Sequence, residues 1–214
     1  MTILVVGATG ATGQLVVEQL LDRGHKVKII VRSPEKLPEF VRNNDQLSVI
    51  SASILELNDS EMIKYTNECD AVVSCLGHNL NLKGIYGKPH KIVRDATQLI
   101  CNAIKVNNSG KPTKYILMNT TANSNRDLKE PGSFGEKCVI GLIRLLLPPH
   151  VDNEMAADYL RIIIGQEDPL VEWVAVRPDT LVNEDNVSKY KVYPSPIVSV
   201  KLNTPVKKIR TPAR

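Results

Sequence analysis

Residues 3–13 read Ile-Leu-Val-Val-Gly-Ala-Thr-Gly-Ala-Thr-Gly, and this stretch decides the class of fold. The apolar run Ile3–Val6 is continuous, as expected for a strand that is buried on both faces. Three glycines at a spacing of three residues follow it, and apolar residues then recur at helical spacing over Gln14–Arg23. A buried strand, a glycine turn and an amphipathic helix in this order are typical of a βα unit that holds a phosphate group.

Each glycine of the turn has a predicted task. Gly7 permits a tight turn off the strand, Gly10 lets the backbone approach a pyrophosphate, and Gly13 lets the helix pack close to the sheet. The free N–H groups and the dipole of the helix N-terminus then face the phosphates, and threonine hydroxyls can add donors. The predicted dinucleotide loop comprises Gly7, Ala8, Thr9, Gly10, Ala11, Thr12 and Gly13.

Beyond this unit, apolar β-branched runs alternate with segments of helical periodicity. Strands are predicted at Val27–Val31, Leu47–Ile50, Ala71–Ser74, Tyr115–Met118 and Trp173–Val176. Helices are predicted at 60–66, 93–106, 135–147 and 152–164, with Pro148-Pro149 between the last two and a helix start at Ser33-Pro34-Glu35 capped by Ser33.

Alternating strands and helices impose parallel pairing with right-handed crossovers. The prediction is therefore a single α/β domain over residues 1–185, with a doubly wound, mostly parallel sheet of Rossmann type. Residues 186–214 are predicted to form an irregular carboxyl-terminal extension, which a truncated substrate-side region would also explain.

Charge and cysteine content exclude several classes of function. The formal net charge is +4, yet five cations fall within the last fourteen residues and the other 22 basic residues nearly balance 23 acidic ones, so no nucleic-acid surface is expected. None of the four cysteines has zinc-ligand spacing, so no metal site is expected. No signal peptide is expected before the first strand, and the longest apolar stretch, Val139–Leu147, is too short to span a bilayer. The expected compartment is a reducing cytoplasm.

The residues after the second strand predict which dinucleotide is preferred. In NAD-selective domains an acidic residue ends this strand and binds the ribose 2′-hydroxyl. Here the sequence is Val31-Arg32-Ser33, and the Arg32 guanidinium can donate two hydrogen bonds to a 2′-phosphate while Ser33 adds a hydroxyl. We therefore expect NADP(H) to be preferred, with NAD(H) still able to bind. The alternative is an arginine that only faces solvent.

These segments resemble the atypical short-chain dehydrogenases/reductases, in particular the NmrA-like, NAD(P)H-binding group that includes flavin and biliverdin-IXβ reductases. The resemblance covers about residues 1–185 and is carried by the glycine loop, Val31–Ser33, Asp70–Gly77 and Trp173–Pro178. The cofactor contacts that it implies are Ser53 and Ile54 at the adenine, Cys75, Leu76 and Gly77 along the adenosine, and Pro178 near the nicotinamide.

The chain departs from this family in residues that matter for chemistry. Most short-chain dehydrogenases use a Tyr-x-x-x-Lys pair for proton transfer, and no Tyr here has Lys four residues later. The family also usually has Asp where Ser53 stands. Thr120 and Thr121, after the fifth strand, are candidates to bind a substrate carbonyl. His78, after the fourth strand, is a candidate general acid, and a loop histidine without a catalytic role is the favoured alternative.

Two functions remain open at this point. The first is an oxidoreductase that transfers hydride from NADP(H) to an unidentified small acceptor, aromatic or carbonyl, since the cofactor carries that chemistry itself. The second is a non-catalytic sensor that binds NADP(H) and acts through a protein partner, as the resemblance also allows. A nucleotide-sugar epimerase shares the fold but normally needs the Tyr–Lys pair and a larger carboxyl-terminal region. A homo-oligomer is compatible with each of them.

Four further features carry weaker hypotheses. His150 is a second candidate acid, or else a capping or surface residue. Glu154 and Asp158 are four residues apart and can share acid–base work, but a solvated helix face or charges at a helix N-terminus are favoured as explanations. Val139–Leu147 is interpreted as a core or subunit-packing helix in preference to one that lies on a membrane. The polar loop 77–88 is either a lid over the substrate site or a disordered connection.

Overall fold

The computed structural model describes residues 1–79, 81–120, 122–124, 126–127, 134–178, 181 and 190–192. Of the residues singled out above, Thr121 lies outside this description, as do 186–189 and 193–214 of the carboxyl-terminal extension.

Six parallel strands form a single sheet. They are β1 (Thr2–Val6), β2 (Lys26–Val31), β3 (Leu47–Ser51), β4 (Ala71–Ser74), β5 (Thr113–Met118) and β6 (Val171–Val176). Their order across the sheet is β3-β2-β1-β4-β5-β6, and the five strand pairs are all parallel. The predicted doubly wound sheet is confirmed, and the predicted strands agree with these bounds to within two residues.

The first strand lies in the middle of the sheet, and its sequence reflects this position. Val5 of β1 pairs with Ile29 of β2 on one side and with Val73 of β4 on the other. Both Leu4 and Val5 are completely buried, because helices cover both faces of a parallel sheet. A strand in this position needs apolar side chains on both faces, which explains the continuous apolar run.

Seven helices lie among the described residues. They are α1 (Ala11–Asp22), α2 (Glu39–Arg42), α3 (Asp59–Thr66), α4 (Leu82–Tyr86), α5 (Ile92–Asn107), α6 (Phe134–Leu146) and α7 (Pro148–Asp158). Val17 of α1 and Val41 of α2 belong to the core on one face of the sheet. Met62 of α3, Ile100 of α5 and Ala156 of α7 belong to the core on the opposite face. None of the helices within the described ranges is long and apolar enough to cross a membrane.

Helix α3 begins one residue before its predicted start because of a capping box. The Asn58 side chain accepts a hydrogen bond from the Glu61 backbone N–H at 3.0 Å, and the Glu61 carboxylate accepts one from the Asn58 backbone N–H at 2.9 Å. This reciprocal pair satisfies two donors that the helix start would otherwise leave without partners.

The two prolines before the seventh helix do not separate two helices as predicted. Pro148 and Pro149 form the first turn of α7, where the N–H groups have no helical acceptor and a missing N–H is tolerated. The chain continues from α7 into a π-helical turn, Tyr159–Ile164. Ser33 is also not the predicted cap: its side chain makes no capping hydrogen bond to the 3₁₀ turn Pro34–Lys36, within the described residues.

Two residues predicted to be solvated are buried. Glu154 is only 5% exposed, and it accepts hydrogen bonds from Arg144 at 2.7 and 2.9 Å. His150 is 8% exposed, with its Nε2 atom 3.4 Å from a Glu154 carboxylate oxygen. The solvated-face interpretation is therefore wrong for Glu154 and the surface interpretation is wrong for His150. Asp158 is paired with arginine as well, accepting a hydrogen bond from Arg126 at 2.7 Å.

The polar loop 77–88 and helix α6 also differ from expectation. The loop contains the short helix α4, whose Tyr86 hydroxyl donates a hydrogen bond to the Leu146 carbonyl at the end of α6 at 3.0 Å. Helix α6 is not a core helix, because Phe134 and Leu145 are among several large apolar side chains that it exposes. Its possible role in subunit packing stays a prediction at this point.

Candidate functional site

The residues predicted to bind a cofactor converge on one edge of the sheet. All six parallel strands end at this edge, and each predicted segment follows one strand end. Because neighbouring strands lie about 4.8 Å apart, the row extends over roughly 25 Å. In order along the edge it contains Ser53 after β3, Arg32 after β2, Gly7 after β1, Cys75 after β4, Thr120 after β5 and Pro178 after β6.

The glycine loop is closed tightly against β4 and against itself. Gly7 has a φ of +77°, and a Cβ atom built on it would lie 2.4 Å from the Cys75 carbonyl oxygen. A Cβ atom on Gly13 would lie 2.2 Å from the Gly7 carbonyl oxygen. Since no side chain fits at such distances, both positions need glycine for the fold itself. This geometry agrees with the predicted turn at Gly7 and the predicted close helix packing at Gly13.

Gly10 differs from the other two glycines because the fold does not require it. Its backbone is extended, with φ −79° and ψ 159°, a conformation that any residue adopts. A Cβ atom there would have only the Gly7 carbonyl oxygen as a neighbour, at 3.4 Å, and the residue is exposed. The space that a side chain would fill lies on the open side of the loop, where a ligand would approach.

The N-terminus of α1 opens onto the same space. The first helical hydrogen bond runs from the Gln14 N–H to the Gly10 carbonyl at 2.9 Å, so the N–H groups of Ala11, Thr12 and Gly13 precede it. No side chain of the described residues caps this end, and the first turn contains no acidic residue. Unpartnered N–H groups at the positive end of a helix dipole form a site for an anion such as a pyrophosphate.

A depression of about 300 Å³ adjoins the loop on its β2 side. The described residues that line it are Thr9, Arg32, Ser33 and Lys36. Two cations and two hydroxyl groups face one space, which suits a phosphate group. Lys36 was not predicted from the sequence. The available signal was its spacing, since it follows Arg32 by four residues across the Pro34 turn.

Cys75 and Ile54, which are also predicted to contact the cofactor, differ in which of their groups lie at this edge of the sheet. The Cys75 N–H donates to the Val6 carbonyl at 2.9 Å, which holds the end of β4 beside the glycine loop. Burial raises the pKa of the Cys75 thiol to about 11, so it is a neutral thiol at physiological pH. Ile54 turns its side chain into the core, at 6% exposure, which leaves only its backbone for the predicted adenine contact.

His78 lies in a buried hydrogen-bond network. Its side chain is 5% exposed, with Nε2 2.8 Å from a carboxylate oxygen of Asp152 and Nδ1 3.2 Å from the Gly84 carbonyl. The same carboxylate accepts hydrogen bonds from the N–H groups of Val93 and Arg94, both at 2.9 Å. Asp152 of α7 therefore caps the N-terminus of α5 and holds the start of loop 77–88. These contacts give His78 a structural task, and its catalytic role stays a prediction.

A cluster of amide side chains follows β5. The Asn119 side-chain oxygen accepts hydrogen bonds from the Thr120 N–H at 2.8 Å and from the Asn123 amide at 3.3 Å, while both Asn119 and Asn123 donate to the Asn153 carbonyl at 3.2 Å. This cluster fixes the backbone at Thr120, whose hydroxyl lies 3.4 Å from the Ala122 N–H. This cluster of asparagines was not predicted from the sequence, because their contacts depend on α7 lying next to β5.

A second cavity, of about 190 Å³, lies beside the carboxyl ends of β5 and β6. It combines amide, guanidinium, carboxylate and indole groups, and the residues that line it include Asn119, Asn123, Asp158, Arg161, Trp173 and Arg177. Arg161 donates to Asp158 and Arg177 to the Asn123 carbonyl at 2.8 Å, so hydrogen bonds hold both guanidinium groups in place. Within the described residues, no group of three or more His, Cys, Asp and Glu side chains could hold a metal ion.

Two places at this edge of the sheet suit anionic groups. The first is the glycine loop with the N-terminus of α1, and the second is the depression at Arg32 and Lys36.

Comparison with solved structures supports the assignment of the chain to the Rossmann fold. A short-chain dehydrogenase/reductase from Veillonella parvula, solved in complex with NADP, superposes with a TM-score of 0.68 at 15% identity, over 98% of this chain and 81% of that one. Yeast methylglyoxal/isovaleraldehyde reductase Gre2, complexed with NADPH, superposes with a TM-score of 0.61 at 20% identity, over 86% of this chain and 59% of that one. At such identities these likenesses show the Rossmann fold alone.

Sequence comparison identifies the family. An uncharacterised chloroplastic protein of Arabidopsis thaliana is 36% identical over 75 residues, which cover 35% of this chain and 27% of that protein. A family model described as NAD(P)H-binding matches residues 7–206. Because that match covers nearly the whole chain, this protein belongs to the NAD(P)H-binding family of Rossmann-fold proteins.

Proposed function

We propose that this protein is an NADP(H)-dependent oxidoreductase that transfers hydride to a small acceptor. The observation that carries the cofactor preference is the depression lined by Thr9, Arg32, Ser33 and Lys36. A 2′-phosphate there meets two cations, and no acidic residue stands at the end of β2 to favour a free ribose hydroxyl. NAD(H), which lacks this phosphate, keeps the other proposed contacts and loses those to the depression.

The residues of this chain would hold the cofactor and orient it, while the cofactor itself would supply the hydride chemistry. In this proposal the N–H groups at the start of α1 bind the pyrophosphate, Cys75, Leu76 and Gly77 border the adenosine side, and Pro178 borders the nicotinamide. The cavity beside β5 and β6 receives the acceptor. Its amide and guanidinium groups next to Trp173 suit a small planar molecule with carbonyl or carboxylate oxygens.

The pyrophosphate assignment is tested at Gly10. The substitution Gly10→Ala is expected to weaken NADPH binding at least tenfold, because the added methyl group fills the open side of the loop. The melting temperature should change by no more than about 2 °C, since the backbone angles there suit alanine. Isothermal titration calorimetry and thermal unfolding measure the two effects. Equal NADPH affinity in Gly10→Ala and the parent protein would contradict the assignment.

Catalysis is tested by NADPH oxidation with a panel of flavins, quinones and small carbonyl compounds. Turnover with one of them, lowered by substitutions in the acceptor cavity such as Asn123→Ala, is the expected result. The variant Glu172→Gln, on the exposed part of β6 outside this cavity, serves as the control and should keep its activity.

A non-catalytic sensor of NADP(H) is the second candidate function. The absence of a Tyr-x-x-x-Lys pair from the sequence favours it. Of the tyrosines in the described chain, Tyr115 is completely buried, and burial raises the pKa of its hydroxyl further above neutrality. Micromolar or tighter NADPH binding without turnover of any acceptor in the panel would select the sensor. We place either function in the cytoplasm, where the unpaired cysteines 69, 75, 101 and 138 would stay reduced.

A further inference from the structure

Helix α6 presents an uncharged apolar surface to the outside of the protein. We call it the α6 apolar face; Phe134 is 84% exposed and Leu145 is 79% exposed, which is unusual for side chains of this size. The residues recur at helical spacing, so they form a single continuous side of the helix. The α6 apolar face consists of Phe134, Cys138, Val139, Gly141, Leu142, Leu145 and Leu146.

The orientation of α6 is set by polar contacts on its inner side. Arg144 points to the body of the protein and binds Glu154, which is 6% exposed at its side chain, through hydrogen bonds of 2.7 and 2.9 Å. Turning α6 to bury its apolar face would break this pair and leave a buried carboxylate without one of its arginine partners, which is strongly unfavourable. The apolar face therefore stays outward in the isolated chain.

Helix α4 extends the same surface. Leu82 and Tyr86 are four residues apart on one side of α4, and Leu82 is 78% exposed. The hydrogen bond from the Tyr86 hydroxyl to the Leu146 carbonyl joins this side to the end of α6. With about 150–250 Å² for an aromatic side chain and somewhat less for Leu or Val, the combined exposed area is on the order of 800 Å². This exceeds the apolar patch of about 300–600 Å² that a monomer typically exposes.

We propose that the α6 apolar face, together with Leu82 and Tyr86 of α4, is the interface of a symmetric homodimer, with a second copy of this chain as its partner. An area on the order of 800 Å² per subunit is that of a standard, stable interface. In a twofold dimer each face meets its own copy, and the side chains described for this face carry no charge that would be repelled in that arrangement. This inference is independent of the proposed enzymatic function.

Gly141 lies near the middle of the face and favours the close approach of a second helix. A Cβ atom built on it would meet nothing within 4 Å in the isolated chain. A glycine at this position lets another helix backbone come near. Since α6 has 13 residues, its length is about 20 Å, and two copies can cross near Gly141 with contacts along both halves. Cys138, one turn away, then lies near its own copy.

Sedimentation equilibrium of the full chain tests this proposal. We expect a particle of twice the 23.7 kDa subunit mass at micromolar concentration. Leu142→Glu and Leu145→Glu should each raise the dissociation constant at least a hundredfold, because each places a carboxylate without a partner in the apolar interface. Their circular dichroism spectra and NADPH binding should match those of the parent protein. Ile162→Glu, at a residue that is 62% exposed outside this face, is the matched control and should stay dimeric.

Crosslinking and lipid binding distinguish a second copy of this chain from a lipid surface as the partner of the α6 apolar face. A short bismaleimide should join two chains in the parent protein and leave Cys138→Ser monomeric on a denaturing gel. A monomer at 100 µM concentration, on the order of ten times a typical assay concentration, would overturn the proposal, as would a Leu145→Glu variant that dimerises like the parent. Sedimentation of a monomeric chain with phosphatidylserine vesicles, lost in Leu145→Glu, would assign the face to a lipid surface instead and also overturn it.

Discussion

Replacing Arg32 by Asp is expected to lower the affinity for NADPH about a hundredfold relative to NADH. Two hydrogen bonds from a guanidinium to a phosphate contribute about 1.5–3 kcal/mol each, and an aspartate adds repulsion and can instead accept a hydrogen bond from the ribose hydroxyl of NADH. Arg32 is exposed at the rim of the depression and the described residues give it no tertiary hydrogen bond. Fluorescence or calorimetric titration of both cofactors measures the ratio of affinities.

Lys36 and Arg42 make this test specific. Lys36→Ala should lower the NADPH affinity by a smaller factor, about tenfold, because a lysine donates through a single ammonium group. Arg42→Asp is the matched control: Arg42 is an exposed arginine in α2 that does not line the depression. An Arg32→Asp variant with the same preference for NADPH over NADH as Arg42→Asp would show that the 2′-phosphate binds elsewhere.

Replacing Asp152 by Ala is expected to destabilise the protein by about 3–5 kcal/mol. The side chain is completely buried and accepts three hydrogen bonds, from His78 and from the N–H groups of Val93 and Arg94. Its removal leaves these three donors without a partner in the interior and removes the negative charge at the N-terminus of α5. For a chain of this length the melting temperature should fall by on the order of 10 °C.

The matched control for Asp152 is an aspartate in α5, the helix that Asp152 caps. Asp95, in the first turn of α5, has a side chain that is 40% exposed and pairs with its neighbour Arg94. Asp95→Ala should change the free energy of unfolding by no more than about 0.5–1 kcal/mol, as is usual for an exposed pair. Equal melting temperatures for Asp152→Ala and Asp95→Ala would contradict the capping role. Chemical denaturation and thermal unfolding of both variants give the comparison.

Much of the cofactor half of the site could be predicted from sequence because its determinants are local. Gly7, Gly10 and Gly13 act through backbone angles and space within one turn, and Arg32 directly follows the strand that positions it. Lys36 was missed although it is only four residues away, because the Pro34–Lys36 turn that directs it back to the loop has no strong periodic pattern. The tasks of Gly7 and Gly13 are internal to the fold, whereas the proposed task of Gly10 concerns the ligand.

The surroundings of His78, Glu154 and Asn119 were less predictable because their residues come together only through tertiary contacts. Asp152 follows His78 by 74 residues, and only the packing of α7 against α5 brings them to 2.8 Å. Glu154 was interpreted as solvated because an i, i+4 pair of carboxylates is usually exposed, yet it is buried beneath Arg144, which is 41% exposed and donates hydrogen bonds to it. The amide cluster at Asn119 depends in the same way on α7 lying beside β5.

By itself the sequence determined the class of fold, the order of strands and helices, the glycine loop and the position of Arg32 after β2. These follow from hydrophobic periodicity and from glycine stereochemistry, which act over a few residues. The tertiary structure alone decided that Asp152 holds His78 and α5 together, that Lys36 joins Arg32, and that the apolar side of α6 faces outward. The physical reason is that burial and pairing depend on which segments of the chain meet. An amphipathic pattern predicts that one side of a helix is buried, but it does not tell whether that side packs against the core of the same chain or against another molecule.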